Sequence, residues 1–161
     1  MKKTIFLALI LIALTAAHAT GSPQIIKYEL KIEYDKTAQK IKTSLQNLSK
    51  IDIAIRKDAV PSSLYIRGVR IFAFEDSENL KRIPVYYPMG SNSELLTVAT
   101  GGTLTGYIDL ASLIKNQCEV LKNNSILIFW NYSSQAGEFG EYLLLPTDGV
   151  FRITKSDISC P

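Results

Sequence analysis

"IIKYELKIEY", residues 25–34, decides the class of fold. Ile26, Tyr28, Leu30, Ile32 and Tyr34 alternate with Lys27, Glu29, Lys31 and Glu33. Successive side chains of a strand point to opposite sides, so a period of two buries one face and wets the other. A helix would need apolar spacings of three and four. The stretch predicts one unbroken strand in an antiparallel sheet open to water on one side.

The pattern continues downstream. Residues 35–39 are polar and turn the chain, and alternation resumes through Ile41, Thr43 and Leu45. Asn47, Leu48, Ser49 and Lys50 form a turn, followed by Ile51, Ile53 and Ile55. This predicts a hairpin-like pair of strands around an Asn/Ser turn. "SLYIRGVRIFAFE", residues 63–75, is rich in β-branched and aromatic residues and reads as a strand with a bulge or break at Gly68. Pro84 and Pro88 confine "RIPVYYP", residues 82–88, to an edge strand or an irregular segment.

"VATGGTLTGYIDLASLI", residues 98–114, is dense in glycine, and a phosphate cradle must be weighed. The residue after Gly106 is Tyr107 rather than the lysine of a P-loop, and the spacing is not that of a dinucleotide loop. Gly101 and Gly102 are better read as a two-residue hairpin turn, with Leu104 and Ile108 facing the core of the next strand. Leu110, Ala111, Leu113 and Ile114 then fall at helical spacing, with Asp109 as N-cap. "SILIFWNYS", residues 125–133, is continuously apolar and reads as a central strand covered on both faces, with Trp130 in the core. A glycine-containing loop, "EYLLL", a turn at Pro146-Thr147-Asp148-Gly149 and a last strand "VFRIT" complete the chain. Together these segments predict an all-β fold, an antiparallel β-sandwich of about seven to nine strands with one short helical crossover.

The ends of the sequence point to export. Lys2 and Lys3 precede an apolar run at 5–14, and Ala17-His18-Ala19 fits a signal-peptidase site. Residues 1–19 are read as a signal peptide of bacterial style, and residues 20–161 as a single domain in the periplasm or secreted, with no membrane insertion after cleavage. Without Lys2 and Lys3 the formal charge of +3 falls to about +1, too weak to predict nucleic-acid binding. Cys118 and Cys160 are the only two cysteines, and in an oxidising compartment they predict one disulfide.

The single histidine, His18, leaves with the signal peptide. That removes Ser-His-Asp and Cys-His catalysis and histidine-ligated metals. The pairs Glu138/Glu141 and Asp76/Glu78 have no adjacent nucleophile and read as solvated loop charges. A non-enzymatic protein without metal or cofactor is the expectation. Tyr86, Tyr87 and Met89, set among two prolines, and Phe139, between Gly137 and Gly140, are the candidate partner-binding residues. Aromatic side chains on stiff loops give contact area at low entropy cost. Asn47, Asn123 and Asn131 each open an Asn-x-Ser sequon, relevant only in a eukaryotic source.

Residues 44–55 "SLQNLSKIDIAI", 80–85 "LKRIPV", 95–113 "LLTVATGGTLTGYIDLASL" and 126–133 "ILIFWNYS" resemble small secreted immunoglobulin-like sandwich domains of bacterial type. The likeness covers about residues 45–132. Similar domains occur alone in the periplasm and beside secreted metallopeptidases. The chain departs from the antibody pattern, because Cys118 and Cys160 fall too late for the inter-sheet pair, and it has no His-Glu-x-x-His. The resemblance implies binding rather than catalysis. The expected function is that of a binding protein engaging a protein partner, as an inhibitor or immunity protein does. A barrel-type small-molecule or lipid carrier and a structural surface or pilus subunit are the alternatives. Partner identity and oligomeric state are not readable from the sequence.

Overall fold

The alternating stretch at 25–34 serves two sheets. In the computed structural model, which describes residues 24–65, 67–137 and 140–160, β1 (Gln24–Ile26) runs parallel to the last strand. Past Lys27, β2 (Tyr28–Asp35) pairs antiparallel with β3 (Lys40–Asn47). The single strand predicted there is therefore two. Alternation persists across the switch because it reports which side faces the core, and both sheets face the same one. It carries no information about which backbone neighbour accepts the hydrogen bonds. The leader expected at 1–19 lies outside the described residues, as do Glu138 and Phe139.

The remaining strands are β4 (Ile53–Arg56), β5 (Arg70–Asp76), β6 (Arg82–Ile83), β7 (Leu95–Val98), β8 (Thr103–Asp109), β9 (Ser125–Ala136) and β10 (Tyr142–Ile153). The helices are α1 (Leu110–Leu113) and α2 (Gln117–Asn123), and a 3-10 turn follows at Lys155–Asp157. The fold is mostly β, with several antiparallel sheets and two helices. The largest sheet has the order β1-β10-β9-β5-β6, beside sheets β2-β3-β8 and β4-β7. Among the described residues the ten strands exceed the seven to nine predicted, and the crossover holds two helices instead of one. Asp109 does cap α1, its carboxylate accepting from the Ala111 N–H at 3.0 Å. The segment 63–75 becomes a strand only at Arg70, after a turn at Gly68.

Two turns read as hairpins are corners between sheets. β3 and β8 pair with each other, as do β4 and β7, so the chains 40–56 and 95–109 form one antiparallel pair bent in the middle. The bend is held by Asn47, whose side chain is fully buried. Its Nδ2 reaches the carbonyls of Ile51 (2.8 Å), Val98 (3.0 Å) and Ala99 (3.2 Å), and its Oδ1 accepts from the Ser49 N–H at 2.9 Å. Gly101 takes φ of +73°, a conformation glycine adopts at no steric cost, and donates to the Asn47 carbonyl at 3.0 Å. The glycine run thus lets β7 leave one sheet and enter another as β8.

β9 is the spine of the largest sheet. Ile126, Ile128, Trp130 and Tyr132 are buried on its inner face, against a core that also draws Ile41, Leu45, Ile53, Ile55 and Ile108 from the other sheets. Each such side chain removed from water contributes roughly 2 kcal/mol before entropy is counted. Trp130 lies over Gly149 of β10, where a Cβ would come within 2.7 Å of the indole. The turn expected at Pro146-Thr147-Asp148-Gly149 is instead strand, with a bulge between Leu144 and Thr147. The carbonyl of Leu145 in that bulge accepts from the Tyr28 hydroxyl of β2. Tyr28 also meets Tyr132 edge-on at 6.3 Å, and burial pushes its phenol up to about 12. The Cys118–Cys160 disulfide forms, with Cα atoms 5.5 Å apart. It joins α2 to the tail just beyond the open end of the β9–β10 hairpin.

Candidate functional site

The loop carrying Tyr86, Tyr87 and Met89 runs without regular structure between β6 and β7. Tyr86 donates its N–H to the Leu113 carbonyl at 3.0 Å, keeps an exposed ring, and holds the Lys115 ammonium 4.8 Å from the ring centroid. Met89 is fully exposed. Tyr87 turns inward: its hydroxyl donates to the Ile71 carbonyl at 2.9 Å and accepts from the Ile71 N–H. The phenol thereby satisfies the backbone groups of Ile71, beyond the point where the pairing of β6 with β5 stops at Ala73 and Phe74. The structure leaves Tyr86 and Met89 on the surface and commits Tyr87 to closing a ladder.

A second surface was not legible as a site in the sequence. β9 was expected to be covered on both faces, but only its inner face is; Phe129, on the outer face, stays 39% exposed. Cross-strand register aligns Phe72 of β5, Phe129 of β9 and Val150 of β10 in one row. Phe72 (37%) and Val150 (56%) are exposed as well, so the row is a continuous apolar strip across three strands. Phe74 supports it, its ring edge-on to Phe129 at 5.6 Å. Isolated exposed apolar residues are ordinary, but contiguous ones mark contact surfaces. At one end the strip is closed by the ion pair of Arg152 with Asp76 (2.9 Å).

The other end opens into a cleft of about 440 Å³ lined by Arg56, Ala59, Arg67, Gly68, Arg70, Asn131, Ser133, Ser134 and Gln135. Arg70 sits two residues from Phe72 along β5 and directly opposite Asn131 of β9. Arg56 is fixed by Asp58, with Nε–Oδ1 at 3.0 Å and Nη2–Oδ2 at 2.9 Å. Asp58 is buried and also accepts from the Asn92 N–H at 3.2 Å. The Arg56 hydrogen bond holds the Asp58 carboxyl below its ordinary range, against the opposing effect of burial. Arg67 and Arg70 are exposed, and among the described residues neither has an ion-pair partner.

Of the carboxylate pairs weighed in the sequence, Asp76 is engaged by Arg152, and Glu138 lies outside the described residues. Phe139 falls there too, so of the four candidate binding residues only three can be placed. The signal that could have revealed the outer face was present. Arg70, Phe72, Phe74 and Asp76 alternate along β5, and Leu127, Phe129 and Asn131 along β9. In β9 it was hidden because both faces are apolar over residues 126–130, so that run shows no period. Comparison with known proteins finds no matching family model and no matching curated protein.

Proposed function

We propose that this is a non-enzymatic binding protein of the periplasm or secreted space, an immunoglobulin-like sandwich that engages a protein partner as an inhibitor or immunity protein does. The observation that carries this reading is the exposed row of Phe72, Phe129 and Val150. An outward aromatic strip bounded by charges has the anatomy of an interface core with a polar rim. Export is supported by the leader pattern at 1–19 and by the disulfide, which persists in oxidising compartments. The exposed Tyr86 and Met89 extend the contact area available to a partner. A carrier of barrel type would need a sheet closed on itself, whereas each described sheet keeps two edges.

The test is co-purification of the tagged protein from its own host, compared with a Phe72→Ser/Phe129→Ser variant. The expected result is a stoichiometric complex that the variant no longer forms, while its Tm stays within a few degrees of wild type. Absence of any stoichiometric partner, or a complex indifferent to the double substitution, would overturn the reading.

A further inference from the structure

We propose that the cleft lined by Arg56, Arg67, Arg70, Asn131, Ser133 and Gln135 binds an acidic sugar, that is, a carboxylate or phosphate carried on a hydroxyl-bearing ring. Charge is the first reason. Asp58 neutralises Arg56 and fixes its orientation, so the net positive charge of the cleft comes from Arg67 and Arg70. Among the described residues no acidic side chain lines it. Guanidinium groups present planar donor pairs that match the oxygens of a carboxylate or phosphate.

The second reason is the composition of the rest of the wall. Asn131 and Gln135 carry carboxamides and Ser133 carries a hydroxyl, and the three alternate along the exposed face of one strand end. Such groups both donate and accept, as vicinal hydroxyls require, whereas a bare inorganic anion needs only donors. The volume, about 440 Å³, is that of a small-ligand site.

The third reason is rigidity. Arg67 and Arg70 bracket Gly68 and the buried Val69. Gly68 donates to the Tyr65 carbonyl at 2.9 Å, and a Cβ on it would come within 2.2 Å of the Ser63 oxygen. The backbone at Gly68 and Val69, between the two arginines, is therefore packed in place before a ligand arrives, which lowers the ordering cost of binding. The inference does not rest on the protein-docking reading, since either surface can function with the other unoccupied.

The experiment is NMR titration of the protein with glucuronate, glucose 6-phosphate, inorganic phosphate and glucose, following the arginine Nε–H and the Asn131 and Gln135 side-chain amides. At least one of the two acidic sugars is expected to give saturable shifts confined to the cleft, binding more tightly than phosphate, with glucose silent. Which of them saturates identifies the anionic group. An Arg67→Gln/Arg70→Gln variant should weaken that binding by roughly a hundredfold, the loss of two charge-assisted contacts, with Tm unchanged. Lys115→Gln/Lys122→Gln removes the same charge elsewhere and should leave binding intact. The proposal is overturned by no saturable shift with either sugar, by phosphate binding as tightly as both, or by an equal loss in the lysine variant.

Discussion

Asn47 does the work of several residues. Its carboxamide nitrogen has two protons and three carbonyls within reach, drawn from both chains of the bent pair. Asn47→Ala would leave those buried acceptors short of donors, and we expect a loss of about 2–3 kcal/mol in urea unfolding. The same burial closes the Asn47 sequon to modification in the folded protein, whatever the source. Tyr28 offers a test by pH. Its folded pKa, about 12, lies above the ordinary 10 because burial disfavours the phenolate. The stability it brings is therefore complete below pH 10 and is lost as pH rises through about 12. Burial raises Tyr34, Tyr87 and Tyr132 as well, so absorbance titration should show several late-ionising tyrosines, one fewer in Tyr28→Phe, and alkaline unfolding should shift accordingly. Asp58 acts at the other end of the scale. Its carboxyl is held low, so its contribution is present above about pH 4 and lost on acidification below that.

The hairpin of β9 and β10 shows how differently two sides of one element behave. Ile128 on the inner face is fully buried, and Ile128→Ala should cost about 3–4 kcal/mol through lost burial and a cavity. Phe129, one residue on, should tolerate serine within about 1 kcal/mol, because its ring is already partly in water. Chemical denaturation of the two variants checks the contrast. The disulfide closes 42 positions of chain around this hairpin. Its removal in Cys118→Ser/Cys160→Ser is expected to cost about 4 kcal/mol by the loop-entropy argument, lowering Tm by roughly 10 °C. Legibility divides along the same lines. The strands 40–47 and 103–109, the cap Asp109, the buried Trp130 and the cysteine pair could all be read from local pattern, because local chemistry decides them. The corners at 47–52 and 99–102 could not, since an Asn/Ser or Gly-Gly turn looks alike whether the chain folds back on its own sheet or leaves for another. Pro146 and Gly149 carried turn chemistry, but the Tyr28 hydroxyl from another sheet makes a bulge the better use of it.

For the molecule as a whole, the site was less legible than the fold. Tyr86 and Met89 were visible as exposed loop residues, whereas the arginine cleft gathers Arg56, Arg67 and Arg70 with Asn131 and Gln135, groups brought together only by tertiary pairing. No local window of sequence contains it. The long-range pairing also bears on the order in which the chain is made. β1 finds its partner in β10, with Gln24 opposite Tyr142, so the first of the described strands to leave the ribosome waits for the last of them. Assembly cannot follow synthesis, and nonlocal pairing of this kind is slow. A chain ending at Glu141 would lack the partner of β1 and one edge of β9, and limited proteolysis should find it unfolded. A stop anywhere before Tyr142 would therefore be as damaging as one near the start, and β9, with Ile126, Ile128, Trp130 and Tyr132 uncovered, would spend that interval in need of a chaperone's shelter.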